Sequence, residues 1–413
     1  MFLIDFSPLQ QGKLCDIHND MRSYKKTHQW ITFNVDLSRA PAPLWLLLGE
    51  AASKCEHIAG VPLEPKIADD LHRLYFARGA AANTAIEGNT LTEDQVRQQI
   101  QGTLQVPPSK EYLRQEVQNV VDACNHIEVY ARTDGGGLTL ERIEEFNRLV
   151  LRDLQLEEGV VPGAMRTHSV VVGNGVYRGA PAEDCEFLTG ELCTWLDGLQ
   201  GSPGQEIPIG IVKAVLAHLY LAWIHPFGDG NGRTARLVEF LILLAAGVPT
   251  PAAHLLSNHY NQTRSEYYRQ LDRASKSGGD VLPFIQYAVQ GFVDGLREQL
   301  GVIRKQQWNV AWQNYVHEQF RDKKDGEVTS RQKHLVLDLS DEPEGEAVHI
   351  SMVALLTPRL AQSYASKTLR TVERDIKALQ EMDLVKRTGL GVVANREKIL
   401  AFLPWRKECA QPK

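Results

Sequence analysis

A chain of 413 residues with 43% hydrophobic and 23% charged content is long enough for two or three domains, each with its own core. Its formal net charge of −6 excludes a surface that coats nucleic acid by bulk positive charge, while leaving room for a local basic patch. Six scattered cysteines (Cys15, Cys55, Cys124, Cys185, Cys193, Cys409), with no C-x-x-C pair or zinc-ligand spacing, read as reduced structural thiols of a cytoplasmic protein. Met1-Phe2-Leu3-Ile4-Asp5 lacks the basic and long apolar regions of a secretory signal. The apolar run at 237–248 carries Glu239 and is too short to span a bilayer, so no membrane partner is expected.

Helical periodicity dominates the chain, and no internal repeat is evident. Residues 1–40 are mixed in character. Several helical segments follow between 41 and 127, among them an Ala-rich helix at 67–87 that Gly88-Asn89 ends. Thr92-Glu93-Asp94-Gln95 reads as a capping box opening the next helix. After the run Gly135-Gly136-Gly137 a helix is expected at 138–154. His168-Ser169-Val170-Val171-Val172 and Val176-Tyr177-Arg178 are β-type runs, and the intervening Gly173-Asn174-Gly175 favours a tight hairpin because Gly and Asn tolerate positive φ. Helices resume at 183–199, 209–224, 232–246 (closed by Gly247 and Pro249), 263–276 and 281–300.

A charge-rich stretch then reads as a linker. The expected domains are 1–110, an N-terminal helical region; 111–305, a helical core; 306–348, the linker; and 349–413, a small separate module. Residues 351–413 hold 12 Lys/Arg against 6 Asp/Glu, so that the other 350 residues carry a net −12. The asymmetry marks the last part as a module of its own.

Twelve residues concentrate the chemistry: His225-Pro226-Phe227-Gly228-Asp229-Gly230-Asn231-Gly232-Arg233-Thr234-Ala235-Arg236. Gly230 and Gly232 lack Cβ, so backbone N–H groups can approach an anion closely. The helix opening at Asn231-Gly232 adds its free N–H groups and the positive end of its dipole. Arg233 and Arg236, three apart, share a helical face from which they can grip outer phosphates. Asp229 offers a carboxylate where a Mg2+ bridging two phosphates would sit, and Asn231 can donate its amide to a phosphate oxygen. His225 is placed to take a proton from an attacking hydroxyl. Phe227 is expected to plug the loop into the core. A lone Gly-Asn-Gly is usually just a turn; the ordered string is far more specific.

That string resembles the signature of the Fic family, His-Pro-Phe-x-(Asp/Glu)-Gly-Asn-Gly-Arg-x-x-Arg, at every defined position, and the similarity of pattern extends over roughly residues 60–300. The resemblance implies a mainly α fold with a Fic-type helical core and a β-hairpin flap. It also implies transfer of AMP from ATP to a Ser, Thr or Tyr hydroxyl of a target protein or of the chain itself. On this reading His225 is the general base and Asp229 the Mg2+ ligand. Gly230, Asn231 and Gly232 form the anion hole, Arg233 holds the outer phosphates, and Arg236 binds the γ-phosphate. Related phosphotransferases carry lysine at the second glycine, so Gly232 favours nucleotidyl transfer.

Glu87 is locally out of place. A carboxylate at a helix C-terminus is disfavoured by roughly 0.3–1 kcal/mol, although most such glutamates are simply solvated. Asn83-Thr84-Ala85-Ile86-Glu87-Gly88-Asn89 resembles the family's inhibitory-helix motif, (Ser/Thr)-x-x-x-Glu-(Gly/Asn), with Asn83 where the motif has Ser or Thr. The resemblance implies a Glu87–Arg236 pair that blocks productive γ-phosphate binding from within the same chain. In some relatives the equivalent glutamate positions a water that removes AMP, so a bifunctional enzyme is an alternative. A nucleotide-sensing DNA-binding regulator is another.

The hairpin of residues 168–178 offers an edge to which a target segment could add as a strand, with Tyr177 and Arg178 as nucleotide contacts; the bland alternative is a plain surface hairpin. In the C-terminal module, Leu360-Ala361-Gln362-Ser363-Tyr364-Ala365 reads as a short helix and 366–379 as a second. Leu369, Val372, Ile376 and Leu379 face a core, and Lys367, Arg370, Arg374 and Lys377 lie outside. Gly389-Leu390-Gly391 reads as a wing turn. The pattern resembles a winged helix-turn-helix, a small α+β domain. Duplex DNA, a second copy in a homodimer and target docking are all open as its partner, with Glu373 and Asp375 counting against DNA.

Overall fold

The computed structural model describes residues 22–400 except 134–136, 173–176 and 344–345. The readings made on residues 1–5, Gly135-Gly136, Gly173-Asn174-Gly175, Cys15 and Cys409 lie outside the described residues. Helices make up most of the fold, and the chain divides into two compact units, residues 1–300 and 301–413.

In the first unit, α1 (Ala42–Gly60) and α2 (Pro65–Ala85) each open with proline in the first turn, where the missing N–H costs nothing. Short helix α3 (Glu93–Ile100) begins at the expected capping box. Thr92 Oγ1 accepts from the Gln95 N–H at 3.3 Å and Gln95 Oε1 accepts from the Thr92 N–H at 3.0 Å. Next come α4 (Glu111–Thr133) and α5 (Leu140–Val150), the latter capped by Thr139. The flap follows as β1 (Val171–Val172) and β2 (Tyr177–Arg178), antiparallel with Val171 opposite Arg178 and Val172 opposite Tyr177.

After α6 (Cys185–Gly198) the centre of the unit is the pair α7 (Glu206–Ile224) and α8 (Asn231–Ala245), buried on nearly every side. Among the described residues, helix α7 is a longer apolar element than the run at 237–248. It is long and apolar enough to cross a membrane, and most of it is buried inside this unit, which explains why it lacks a polar face. Helices α9 (Leu255–Gln262) and α10 (Arg264–Lys276) follow.

The helix expected at 281–300 runs on as α11 (Leu282–Gln319). Residues 306–348 are therefore not a linker. They belong to the second unit, where α12 (Glu327–Ser340) is added to α11 and where Trp312, Val316, Leu335 and Val336 are buried in a common core. Their charge misled the reading, because polar residues cover the outer faces of amphipathic helices.

The rest of that unit runs α13 (Pro358–Tyr364), α14 (Leu369–Glu381) and a hairpin of β3 (Val385–Arg387) and β4 (Val392–Ala394). Val348 bridges to Val392 beside the hairpin. Of the four apolar positions expected inward on α14, Val372, Ile376 and Leu379 are buried. Leu369 is 52% exposed, because the helix starts there and the core begins a turn later. Asp375, counted above as an outward acidic charge, is fully buried. It accepts from Arg331 Nε at 2.8 Å, Gln332 Nε2 at 3.0 Å and the Tyr364 hydroxyl at 3.0 Å.

Candidate active site

The candidate base, His225, stands at the end of α7. His225 is the residue that closes the helix, with φ 51° and ψ 59° in the left-handed region that side chains with a Cβ rarely adopt. Two bonds hold it there. Its N–H donates to the Leu221 carbonyl at 2.9 Å, and its carbonyl accepts from Arg166 Nε at 2.7 Å. Arg166 is itself buried and also donates to the carbonyls of His168, Ala180 and Ile224. One guanidinium thus ties the segment leading into the hairpin to the end of α7. Burial pushes the His225 imidazole down to about 4; Arg166 adds in the same direction, and the Ala222 carbonyl and the Glu87 and Asp229 carboxylates oppose it. At neutral pH the imidazole is therefore unprotonated.

The loop from Pro226 to Gly230 is held by side chains that belong to it and by one that does not. Phe227 is buried in the core as expected. The Asn231 amide does not face outward. Its Oδ1 accepts from the Phe227 N–H at 2.9 Å and its Nδ2 donates to the Phe227 carbonyl at 2.8 Å. The expected side-chain donation from Asn231 to a phosphate is thus corrected: the amide clamps the loop, and what Asn231 offers at the start of α8 is its backbone. Gly230 has φ 74°, which favours glycine, and a Cβ there would also crowd Asn147 Nδ2 at 3.1 Å. Asn147 is fully buried on α5. It donates to the Asp229 carbonyl at 2.9 Å and to Thr234 Oγ1 at 3.3 Å, and accepts from the Gly163 N–H at 2.9 Å. Neither Asn147 nor Arg166 carries a local sequence signal for these roles, because the Asp229 and His225 carbonyls they hold lie 82 and 59 positions away.

No side chain caps the start of α8, which leaves the positive end of its dipole open. The two arginines on its first turns diverge. Arg233, 5% exposed, reaches Glu116 on α4 at 3.4 Å and Asp229 at 3.5 Å. Arg236, 1% exposed, donates from Nη2 to Glu87 Oε1 at 2.7 Å and to the Asn83 carbonyl at 2.8 Å, and from Nε to Asn83 Oδ1 at 3.3 Å. Asn83, in the Ser/Thr place of the motif, thus binds the arginine directly. Helix α2 ends at Ala85, so Glu87 projects from the turn just beyond it, 38% exposed in its side chain. Burial would raise the Glu87 carboxyl, but the charge and hydrogen bond of Arg236, with help from Arg233 and His225, hold it below the usual range. A Cβ on Gly232 would fall 2.0 Å from Glu87 Oε1. The carboxylate therefore occupies the space over this glycine.

Two cavities border the helix start. One of about 340 Å3 is mainly apolar and is lined by Glu87, Tyr177, Trp223, His225, Gly232 and Tyr268. The Tyr177 hydroxyl donates to the Trp223 carbonyl at 2.8 Å, and burial raises its pKa; Arg178 does not line the cavity. The other, about 610 Å3, is lined by Tyr112, Gln115, Glu116, Asp153, Asp229 and Arg233 among others. Arg233 Nε and Arg236 Nη1 are buried without a hydrogen-bond partner, which suits an anion between the cavities. Among the described residues no group of three or more His, Cys, Asp or Glu could hold a metal ion. Asp229 stands as a single half-exposed carboxylate, the kind of site that fits a cation carried mainly by substrate phosphates.

Residues 137–243 match the Fic/DOC family model. Over 209 residues the chain is 34% identical to a Nematostella vectensis protein named protein adenylyltransferase Fic, covering 50% of this chain and 45% of that one. It is 30% identical over 227 residues to Caenorhabditis elegans protein adenylyltransferase fic-1, covering 55% and 41%. The chain thus spans less than half the length of these curated relatives. In fold it is similar to a Fic family protein from Desulfovibrio desulfuricans (TM-score 0.53, 22% identity, 84% of this chain and 92% of that one). It is also similar to a fragment of C. elegans Fic-1 (TM-score 0.51, 24% identity, 63% and 73%). The segment that holds His225, Asp229, Gly232, Arg233 and Arg236 is thus the one that matches the Fic/DOC family model.

Proposed function

We propose that the protein is an adenylyltransferase that moves AMP from ATP to a Ser, Thr or Tyr hydroxyl of a target protein or of itself. The observation that carries this reading is the pairing of a neutral, desolvated His225 with an uncapped helix N-terminus flanked by two buried arginines that each keep an unpartnered N–H. The nucleoside lies in the apolar cavity and the polyphosphate over the start of α8. The target hydroxyl oxygen forms a bond to the α-phosphorus, its proton passes to the His225 imidazole, and the bond to the β-phosphate bridging oxygen breaks to release pyrophosphate. Backbone N–H groups at Gly232 and the Arg233 guanidinium take up the charge of the leaving group. Asp229 would hold a Mg2+, which neutralises phosphate charge. A target segment adds to the edge of β1, where Val171 is 54% exposed. The test is Mg2+-dependent labelling of protein from α-labelled ATP by the full chain; binding of ATP without transfer, even with the brake removed, would favour a nucleotide sensor instead.

In the same proposal Glu87 is a brake. Its carboxylate over Gly232 and on Arg236 takes the place of the γ-phosphate, so ATP binds unproductively until the turn moves. Since Glu87 and His225 line one cavity, water-driven removal of AMP from a modified protein is the second reading. Release of AMP from pre-labelled target by wild type but not by Glu87→Gly would support it.

For the second unit the proposal is a winged helix-turn-helix whose helix α14 enters the major groove of DNA. Burial of Asp375 favours it, because the exposed face then keeps Arg370, Arg374 and Lys377 with Glu373 as the acidic residue among them. Salt-dependent binding of the full chain to duplex DNA, weakened by Arg370→Ala and Arg374→Ala, is the test. Gel-filtration dimers insensitive to those changes would favour a homodimer.

A further inference from the structure

The turn that carries Glu87 reaches both arginines of the motif, by two different routes. Directly, Glu87 holds Arg236. Two residues on, Asn89 is buried; its Oδ1 accepts from the Leu91 N–H at 3.0 Å, and its Nδ2 donates to the Leu113 carbonyl and to Glu116 Oε2, each at 2.9 Å. The other oxygen of the same carboxylate, Glu116 Oε1, is the partner of Arg233 Nη1 at 3.4 Å. Glu116 is thus spoken for at both ends, one oxygen on the turn and one on the phosphate-side arginine. Arg233 touches the carboxylates of Glu116 and Asp229 and leaves its Nε without a partner. A long side chain fixed at one edge loses less freedom when an anion arrives at the other.

We infer that Glu116 is a positioning residue for the reaction: it seats Arg233 for the phosphates, and through Asn89 it makes the seat depend on the turn that carries Glu87. The inference rests on the reading of Arg233 as a phosphate clamp. One turn then sets both guanidiniums, so a displacement of the turn that frees Arg236 also loosens Arg233. Release of the brake by Glu87→Gly, which leaves Asn89 in place, keeps the clamp seated. Release by moving the whole turn does not.

The experiment uses the full chain in the Glu87→Gly background. Glu116→Gln keeps an oxygen for Asn89 and removes the charge on Arg233. ATP affinity is read by calorimetry, and KM for ATP and kcat are read from transfer. The expected result is a five- to tenfold weaker ATP affinity and a matching rise in KM, with kcat changed less than twofold and the thermal midpoint unchanged. Asn89→Ala should move KM in the same direction by about half as much on a logarithmic scale. In an Arg233→Ala background, Glu116→Gln should add nothing to the loss of affinity, because there is no clamp left to seat. Equal effects of Glu116→Gln with and without Arg233, an unchanged affinity, or a tighter one would each overturn the inference; the last would make Glu116 a competitor of phosphate. If no variant transfers AMP but ATP affinity still depends on Glu116 through Arg233, the transferase reading fails and this one stands.

Discussion

Asn147 gives the most quantitative prediction. In Asn147→Ala, the buried Gly163 N–H loses an acceptor at 2.9 Å and the part-buried Asp229 carbonyl loses a donor at 2.9 Å, at a side chain with no solvent exposure of its own. A buried main-chain group left unpaired costs about 1–3 kcal/mol. The buried N–H at the upper part of that range, with a smaller share from the carbonyl that water can reach, gives an expected loss of about 3 kcal/mol. At about 2 °C per kcal/mol for a unit of this size, the midpoint of the first unit should fall by about 6 °C. The loop that holds Asp229 and Gly230 would be the part set loose, so ATP affinity should drop with it. Thermal unfolding followed by tryptophan fluorescence, read beside calorimetric ATP binding, measures both. A midpoint within 1 °C of wild type, with ATP binding intact, would refute the claim that this one amide holds the motif loop.

His225 should stay neutral in the ligand-free protein far into acid, its imidazole titrating near 4; NMR of 15N-labelled histidine that found a midpoint near 6.5 would contradict the burial argument. The Glu87–Arg236 pair should survive mild acid. The folded carboxyl lies below its ordinary value, so the stabilisation present above the unfolded carboxyl's range is lost only as pH falls through that lower folded value. Self-labelling should therefore show no acid-triggered burst between pH 8 and 5. In the second unit, Asp375→Ala leaves Arg331 buried without its carboxylate and should cost about 3–5 kcal/mol, seen as selective unfolding of residues 301–413 by hydrogen exchange.

What the sequence made legible was local. The capping box at Thr92, the arrest of α2 near Glu87 and the glycine-bounded start of α8 each depend on residues a few positions apart, and each stands where the pattern puts it. The Glu87–Arg236 contact, 149 positions apart, came from a family resemblance. The parts that were missed are long-range or depend on which face is covered. Arg166 and Asn147 act on carbonyls far along the chain, which no periodicity reports. Asn231 points inward because the Phe227 backbone satisfies both ends of its amide, a fact that residue type alone leaves open. The charged stretch at 306–348 looked like a linker until its buried stripe, Trp312, Val316, Leu335 and Val336, found a shared core. Asp375 shows the same effect in reverse: an acidic residue on a basic helix reads as surface charge, and its burial follows from Arg331, 44 positions upstream.

The central claim is a competent transfer site held off by a carboxylate. An ion pair with one partner buried and the other 38% exposed is worth about 1.5 kcal/mol, or about tenfold in rate. The deciding measurement is the initial rate of protein labelling from α-labelled ATP and Mg2+ by wild type, Glu87→Gly and Glu87→Gly/His225→Ala. The account predicts a rise of about tenfold or more in the first variant and its loss in the second; a Glu87→Gly rate equal to or below wild type would contradict it.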